Sequence, residues 1–239
     1  MKKTILFLSF CAVTVIGCKS KNDKAVEFYK QGIVKDSLKD TKGAMAAYNN
    51  AIALNPGYAD AYQKRGALRI SIDDYDSAAV DINRAIALNP KLAEAYHSMG
   101  MIAYYKKNDV RAAMEDYAKA IELDPKCAGA YFELARIKTE MTAYQAALTD
   151  LGKAIEFDPK LSVAYYLRGH VKIQLDDSRG AIPDFDKAIE IFPGFALAYY
   201  DRGMAKGILG DRESSCRDFS KAGELGFQDA YEAIRKHCQ

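Results

Sequence analysis

The chain has 239 residues, of which 49% are hydrophobic and 28% charged. That balance belongs to an ordered protein, not to a disordered chain or a polytopic membrane protein. Lys and Arg number 34 against 32 for Asp and Glu, and only Lys2 and Lys3 are charged before Cys18, so the remainder carries 32 of each sign. A nucleic-acid binder needs a basic surplus that this remainder lacks.

The N-terminus reads as an address. Lys2 and Lys3 precede an apolar run from Ile5 to Gly17, thirteen residues long. That is too short to span a bilayer as a helix and fits the core of a signal peptide over 1–17. The run ends Val15-Ile16-Gly17-Cys18, which resembles the lipobox of bacterial lipoproteins. The resemblance implies cleavage after Gly17 and acylation of Cys18, and two or more acyl chains anchor a protein stably. Residues 18–24 then form the lipidated Cys and a polar tether. Lys19 follows Cys18 where an Asp would retain the protein in the inner membrane, so the resemblance favours the outer membrane of a bacterial envelope.

The body is periodic. Pro56, Pro90, Pro125, Pro159 and Pro193 follow at intervals of 34, 35, 34 and 34 residues, each closing a near-copy of Ala51-Ile-Ala-Leu-Asn-Pro56. A fixed period of this size is the signature of a solenoid. Within 59–92, Ala61, Tyr62, Arg65, Gly66 and Arg69 fall on a first helix. Asp73 to Asp76 make a polar turn whose carboxylates cap the next helix. Ala78, Ala79, Ile82, Ala85 and Ile86 recur at helical spacing, and Pro90 ends the second helix. Small residues recur in the columns of Gly66, Ala78 and Ala85, and these let the two helices approach.

These residues closely resemble the tetratricopeptide repeat. The resemblance implies an all-α fold: a right-handed solenoid of six helix-turn-helix repeats over 25–227 (25–58, 59–92, 93–127, 128–161, 162–195, 196–227). A capping helix over 228–239 follows, carrying Glu232, Arg235 and Lys236 as the polar face that a terminal cap needs. Three positions depart from the pattern. One extra residue between Gly100 and Ala113 predicts a longer turn near Tyr104 to Asn108. Pro183 lies early in a second helix, where it removes a donor and invites a kink. Gly226-Phe227 replaces the sixth proline.

Catalytic chemistry is missing. There is no phosphate-binding glycine loop, no paired-cysteine metal motif and no nucleophile elbow. His97, His170 and His237 are too far apart in sequence to suggest a metal site. No catalytic residue, metal or cofactor is expected, and the scattered carboxylates read as solvated faces and caps.

In tetratricopeptide arrays the first helices line a concave groove. That implies a groove stripe of Tyr29, Gln63, His97, Phe132, Tyr166 and Tyr200. One turn on come Met101, Arg136, His170 and Met204, with Tyr104 beside them. Aromatic side chains offer large area with few rotors, which suits a peptide or protein partner. The expected function is a non-enzymatic interaction scaffold of the envelope; the alternative is a dedicated subunit of an outer-membrane assembly, secretion or uptake complex. The expected contacts are a protein or peptide partner and the membrane, with no nucleic acid.

An exported chain meets an oxidising compartment, where thiols pair. With Cys11 removed and Cys18 lipidated, Cys127, Cys216 and Cys238 remain. Cys216 and Cys238 lie about equally far from the 224–228 turn on two antiparallel helices, so at 1.5 Å per residue their sulfurs fall side by side. A Cys216–Cys238 disulfide is expected, with Cys127 free.

Overall fold

The computed structural model describes residues 20–238. The apolar run, Gly17 and Cys18 lie outside the described residues. Six helix pairs follow one another: α1 (Lys21–Ser37) with α2 (Thr41–Leu54), α3 (Ala59–Ile70) with α4 (Tyr75–Leu88), and α5 (Ala93–Tyr105) with α6 (Val110–Leu123). Then come α7 (Ala128–Glu140) with α8 (Tyr144–Phe157), α9 (Ser162–Gln174) with α10 (Ser178–Ile191), and α11 (Ala196–Ile208) with α12 (Arg212–Glu224). A lone α13 (Asp229–His237) packs on α12. Each even helix also packs on the next odd one, which makes the solenoid.

The array starts four residues earlier than the sequence suggests. Lys21 to Lys24 are helical and not tether, because Ser20 and Asp23 form a capping box: the Ser20 hydroxyl accepts from the Asp23 N–H at 3.1 Å, and Asp23 accepts from the Ser20 N–H at 3.0 Å. Pro183 sits inside α10 without breaking it.

The turns obey local chemistry. Within each pair the turn passes through one left-handed residue: Lys39, Asp73, Asn108, Thr142, Asp176 or Gly210. An Asp then caps the second helix in five of the six pairs, as Asp40 does by accepting from the Gly43 N–H at 2.9 Å. Between pairs, the residue before proline is extended, as proline requires of its predecessor. Asn55, Asn89, Asp124 and Asp158 hold that turn by accepting from the N–H two residues on, at 2.9 to 3.1 Å.

Inside each pair a large side chain of the second helix presses on a residue without one on the first. Tyr48 meets Gly32, Ile82 meets Gly66, Tyr117 meets Gly100, Phe185 meets Gly169 and Phe219 meets Gly203. The fourth pair carries Ala135 and Leu151, both fully buried. A methyl added at Gly100 would come within 2.6 Å of the Tyr117 ring, far inside van der Waals contact.

A second device ties the helices together at their edge. Arg65 grips Asp81 through two N–H groups at 2.6 and 2.7 Å, and Arg69 joins the same carboxylate at 2.7 Å. Arg168 and Lys172 hold Asp184 in the same way, and Arg202 and Lys206 hold Asp218. Lys138 alone holds Asp150 at 2.6 Å. These carboxylates are nearly inaccessible, and they are tolerable inside the fold because each is paired with a cation and hydrogen-bonded to it.

The last helix is fastened covalently. Cys216 and Cys238 are disulfide-bonded with their Cα atoms 5.7 Å apart, while Cys127 is a free, half-buried thiol. Arg212 adds a hydrogen bond from Nε to the His237 carbonyl at 2.7 Å.

Two measurements test this packing. On an ordinary helix Gly→Ala stabilises by up to about 1 kcal/mol. Gly100→Ala should instead destabilise by about 1–3 kcal/mol in a denaturant titration, because Tyr117 blocks the methyl. Tyr117→Phe should be neutral or stabilising, since its hydroxyl is buried without a partner. For the disulfide, replacing Cys216 and Cys238 by Ser should lower stability by about 3 kcal/mol in the loop-entropy account. Non-reducing peptide mapping that returned both thiols free would remove the basis for that number.

Candidate functional site

The first helices of the pairs, α1 to α11, lie beside one another along the array; α3 touches α5, α7 touches α9, and α9 touches α11. Their free faces make the candidate groove, and the expected stripe divides into three kinds of residue.

The first kind packs between repeats. The Tyr29 ring lies 4.9 Å from Tyr58 and 6.0 Å from Tyr48. Tyr166 lies 4.9 Å from Phe195, and Tyr200 lies 4.9 Å from Phe227. In each case the ring touches the residue that opens the next unit, so its area serves the repeat junction as well as the groove. Phe132 is likewise half-buried, against a core that its own repeat and the next one share.

The second kind is largely covered. Gln63 is only 5% exposed, and with the half-buried His97 and Met101 it lines an open cleft of about 570 Å³. His97 lies 5.7 Å from the Tyr117 ring, and its Nε2 is buried without a hydrogen-bond partner against the backbone of Gly129. Burial lowers its pKa to about 4, so His97 is a neutral packing residue near pH 7. Met101 bridges the cores of two neighbouring repeats.

The third kind forms two polar constellations. Arg136 donates to Glu133 at 2.7 Å and to Glu140 at 3.0 Å, and its guanidinium stacks over Tyr104 at 4.1 Å. The Tyr104 hydroxyl donates to the other Glu140 oxygen at 2.5 Å. Tyr105, absent from the expected stripe, lies 5.1 Å from the Arg136 guanidinium and meets the Tyr104 ring edge-on at 5.1 Å. One repeat further on, Asp201 Oδ2 accepts from the Tyr166 hydroxyl at 3.0 Å and faces His170 Nδ1 at 3.2 Å. The hydrogen bond to Asp201, outweighing burial, raises the His170 pKa above the ordinary histidine value. Burial and then the Asp201 charge raise Tyr166, which stays a hydroxyl donor.

Asp201 was not legible in the sequence because its partners stand on the preceding first helix, whereas Glu133 and Glu140 lie three and four residues from Arg136 on α7, a spacing the sequence does display. At the C-terminal end, Met204, Ile208, Phe219 and His237 line a mainly apolar cleft of about 350 Å³. Among the described residues no His, Cys, Asp or Glu cluster could hold a metal ion, and no helix is long and apolar enough to cross a membrane.

The arrangement presents ordered hydrogen-bonding groups and aromatic rings along the first helices. Comparison with known proteins agrees with the fold. The tetratricopeptide repeat family model matches residues 59–92, 128–161 and 162–195, and a further TPR repeat model matches 103–141. Together these span more than half of the chain, which belongs to the tetratricopeptide repeat proteins. No curated protein matches it. Among solved structures, MamA is 28% identical with a TM-score of 0.57, over 70% of this chain and 96% of that one. YrrB, a TPR protein with an unusual peptide-binding site, is 22% identical with a TM-score of 0.58, over 79% and 98%. PilW, a widely conserved type IV pilus biogenesis factor, is 15% identical with a TM-score of 0.71, over 88% and 97%. The last two show the shared fold alone.

The two histidines should separate cleanly in an NMR titration. His170 should titrate above the ordinary value of about 6.5, and His97 far below it. Asp201→Asn should bring His170 back to or below the ordinary value and leave His97 unmoved. Equal midpoints for the two rings would dissolve the His170–Asp201 pair.

Proposed function

We propose that this tetratricopeptide repeat protein is a non-enzymatic scaffold of the bacterial cell envelope that binds an extended peptide or protein segment along the faces of its first helices. The observation that carries the reading is the pair of ordered polar and aromatic constellations there, Tyr104–Arg136–Glu140 and Tyr166–His170–Asp201. Their side chains already hold one another in place, so a partner meets donors and rings whose rotamer freedom is spent. The half-exposed edges of His170, Tyr104 and Met204 supply contact area, and the groups fixed by Asp201 and Glu140 supply directional hydrogen bonds. YrrB, of the same fold, is known as a peptide-binding protein, which supports the mode.

The envelope setting rests on the sequence order Lys2-Lys3, apolar run, Gly17-Cys18. On this reading Cys18 is acylated, the preferred site is the outer membrane, and the first pair stands close to the bilayer, since so little chain separates Cys18 from α1.

A photo-crosslinking amino acid placed at His170 or Met204 should capture a partner in membranes, whereas one at Val80, 69% exposed on α4, should not. Arg136→Ala should weaken that partner by about tenfold, the range of a central contact residue. Cys18→Ala should abolish fatty-acid labelling and leave the chain unprocessed. Capture equally strong at Val80 would move the binding surface off the first helices, and identical labelling and fractionation of Cys18→Ala would remove the anchor.

A further inference from the structure

The cation–carboxylate clamp described above is repeated at fixed positions, which makes its one failure visible. Arg65, Arg168 and Arg202 each pair with an Asp 16 residues on, and the second cation comes 12 residues before the same Asp. In the third pair the corresponding carboxylate is Asp116, and the two cation positions hold Met99 and Ala103. Among the described residues Asp116 makes neither an ion pair nor a hydrogen bond. The first pair avoids the problem differently, with Ala47 at the Asp position. Only the third pair, among the described repeats, keeps the acid without its partner.

Three further observations fall in the same pair. Of the three buried side-chain polar atoms without partners among the described residues, two are here, the Tyr117 hydroxyl and His97 Nε2; the third, the Tyr48 hydroxyl, is in the first pair. The turn is also wider. In the other five pairs the closing bond spans five residues, as from the Asp74 N–H to the Arg69 carbonyl or from the Asp177 N–H to the Lys172 carbonyl, whereas here it spans six, from the Asp109 N–H to the Ala103 carbonyl. The extra residue is housed by this loop around the left-handed Asn108. Two features bear on the contact between α5 and α6, an acid without its clamp cations and the unsatisfied Tyr117 hydroxyl, and the turn that joins the helices is longer; His97 Nε2 faces Gly129 on α7 instead.

We propose that the third pair is the yielding joint of the array: α5 and α6 separate more readily than the other internal pairs, and protonation of Asp116 closes the joint. The groups facing Asp116 are few. Glu115 on its own helix repels it, Lys107 in the turn attracts it, and α5 presents Met99 and Ala103, which carry no charge. Lys106 is engaged with Asp76 on α4. Burial, reinforced by Glu115, pushes the Asp116 carboxyl up to about 6. The sign follows from linkage. The folded pair binds the proton more tightly than the opened pair, so its stability falls as pH rises from about 4 to about 6, and the deficit is complete above that. Tyr104 stands on α5 and Arg136 on α7, so the joint lies beside the Tyr104–Arg136 constellation.

Native-state hydrogen exchange read by mass spectrometry tests this on the whole chain with its disulfide intact. At about pH 7.5, amides of α5 and α6 should exchange about tenfold faster than those of α3–α4 and α9–α10, after correction for intrinsic rates and with the charge effect discounted for partial exposure. At about pH 5 the gap should narrow. Asp116→Asn, close to isosteric, should remove the pH dependence. Met99→Arg, which supplies the missing cation, should raise protection of α5 and α6 at the higher pH. Should Met99→Arg fail to fold, Asp116→Asn still decides. Equal protection of all internal pairs at the higher pH, or a pH dependence that survives Asp116→Asn, would overturn the joint.

Discussion

Every pair in this array depends on how closely its two helices approach. The distance is set where a ring or branched side chain of the second helix meets a glycine on the first. Without that contact the alanine columns could not meet: Ala44, Ala51, Ala78, Ala85 and their equivalents are wholly buried because the backbones lie close enough to cover a methyl group. The fourth pair shows that the close approach does not demand glycine itself. There Ala135 and Leu151, the latter smaller than the rings of four other pairs and equal in size to the Ile82 of the second, are both fully buried. Two helices this close leave little room for charged chains between them, so the clamps sit at the edge, where Arg65, Arg168 and Arg202 reach the carboxylates over the rings of Tyr62, Tyr165 and Tyr199.

The sequence displays most of this architecture, because period is easy to see. Prolines spaced by 34 or 35 residues mark the repeats, and small residues mark the approach. The Cys216 to Cys238 pairing is also visible, since equal arm lengths about a turn bring two positions together whatever the side chains between them. The start of α1 was missed although its signal is local: Ser20 followed three residues later by Asp23 is a capping box with Asp in the usual Glu position. The clamps were missed for a different reason. An Arg and an Asp 16 residues apart look like two solvated charges until the hairpin folds and brings them to 2.6 Å. Their recurrence in three repeats was the available signal.

The candidate site was only partly legible for a related reason. Periodicity says which residues share the face of a first helix, but not how much of each ring the next repeat covers. Tyr29, Tyr166 and Tyr200 stand on the expected face, yet each leans on Tyr58, Phe195 or Phe227 across the repeat junction. The residue that converts Tyr166 and His170 into a constellation is Asp201, on the following first helix. A contact across repeats has no fixed signature in one unit, because the partner column varies from repeat to repeat.

That double use of the aromatic residues links binding to the shape of the array. A partner lying along the first helices would touch rings whose other edges form the junctions between repeats, so binding energy would act on repeat stacking as well as on the groove surface. The effect would be least where stacking is already redundant. At the C-terminal end the disulfide and the Arg212 hydrogen bond hold α13 in place, and Tyr200 and Phe227 add ring contacts between α11 and the turn before α13. It would be greatest at the third pair, where no clamp joins α5 to α6 and Asp116 stands unpaired. A solenoid carries strain from neighbour to neighbour, and the least fastened interface absorbs it. Rigidity at the covalently closed end and compliance at the third pair are therefore complementary properties of one chain: the first holds Tyr166, His170 and Asp201 in register, and the second lets the preceding repeats adjust to whatever lies along them.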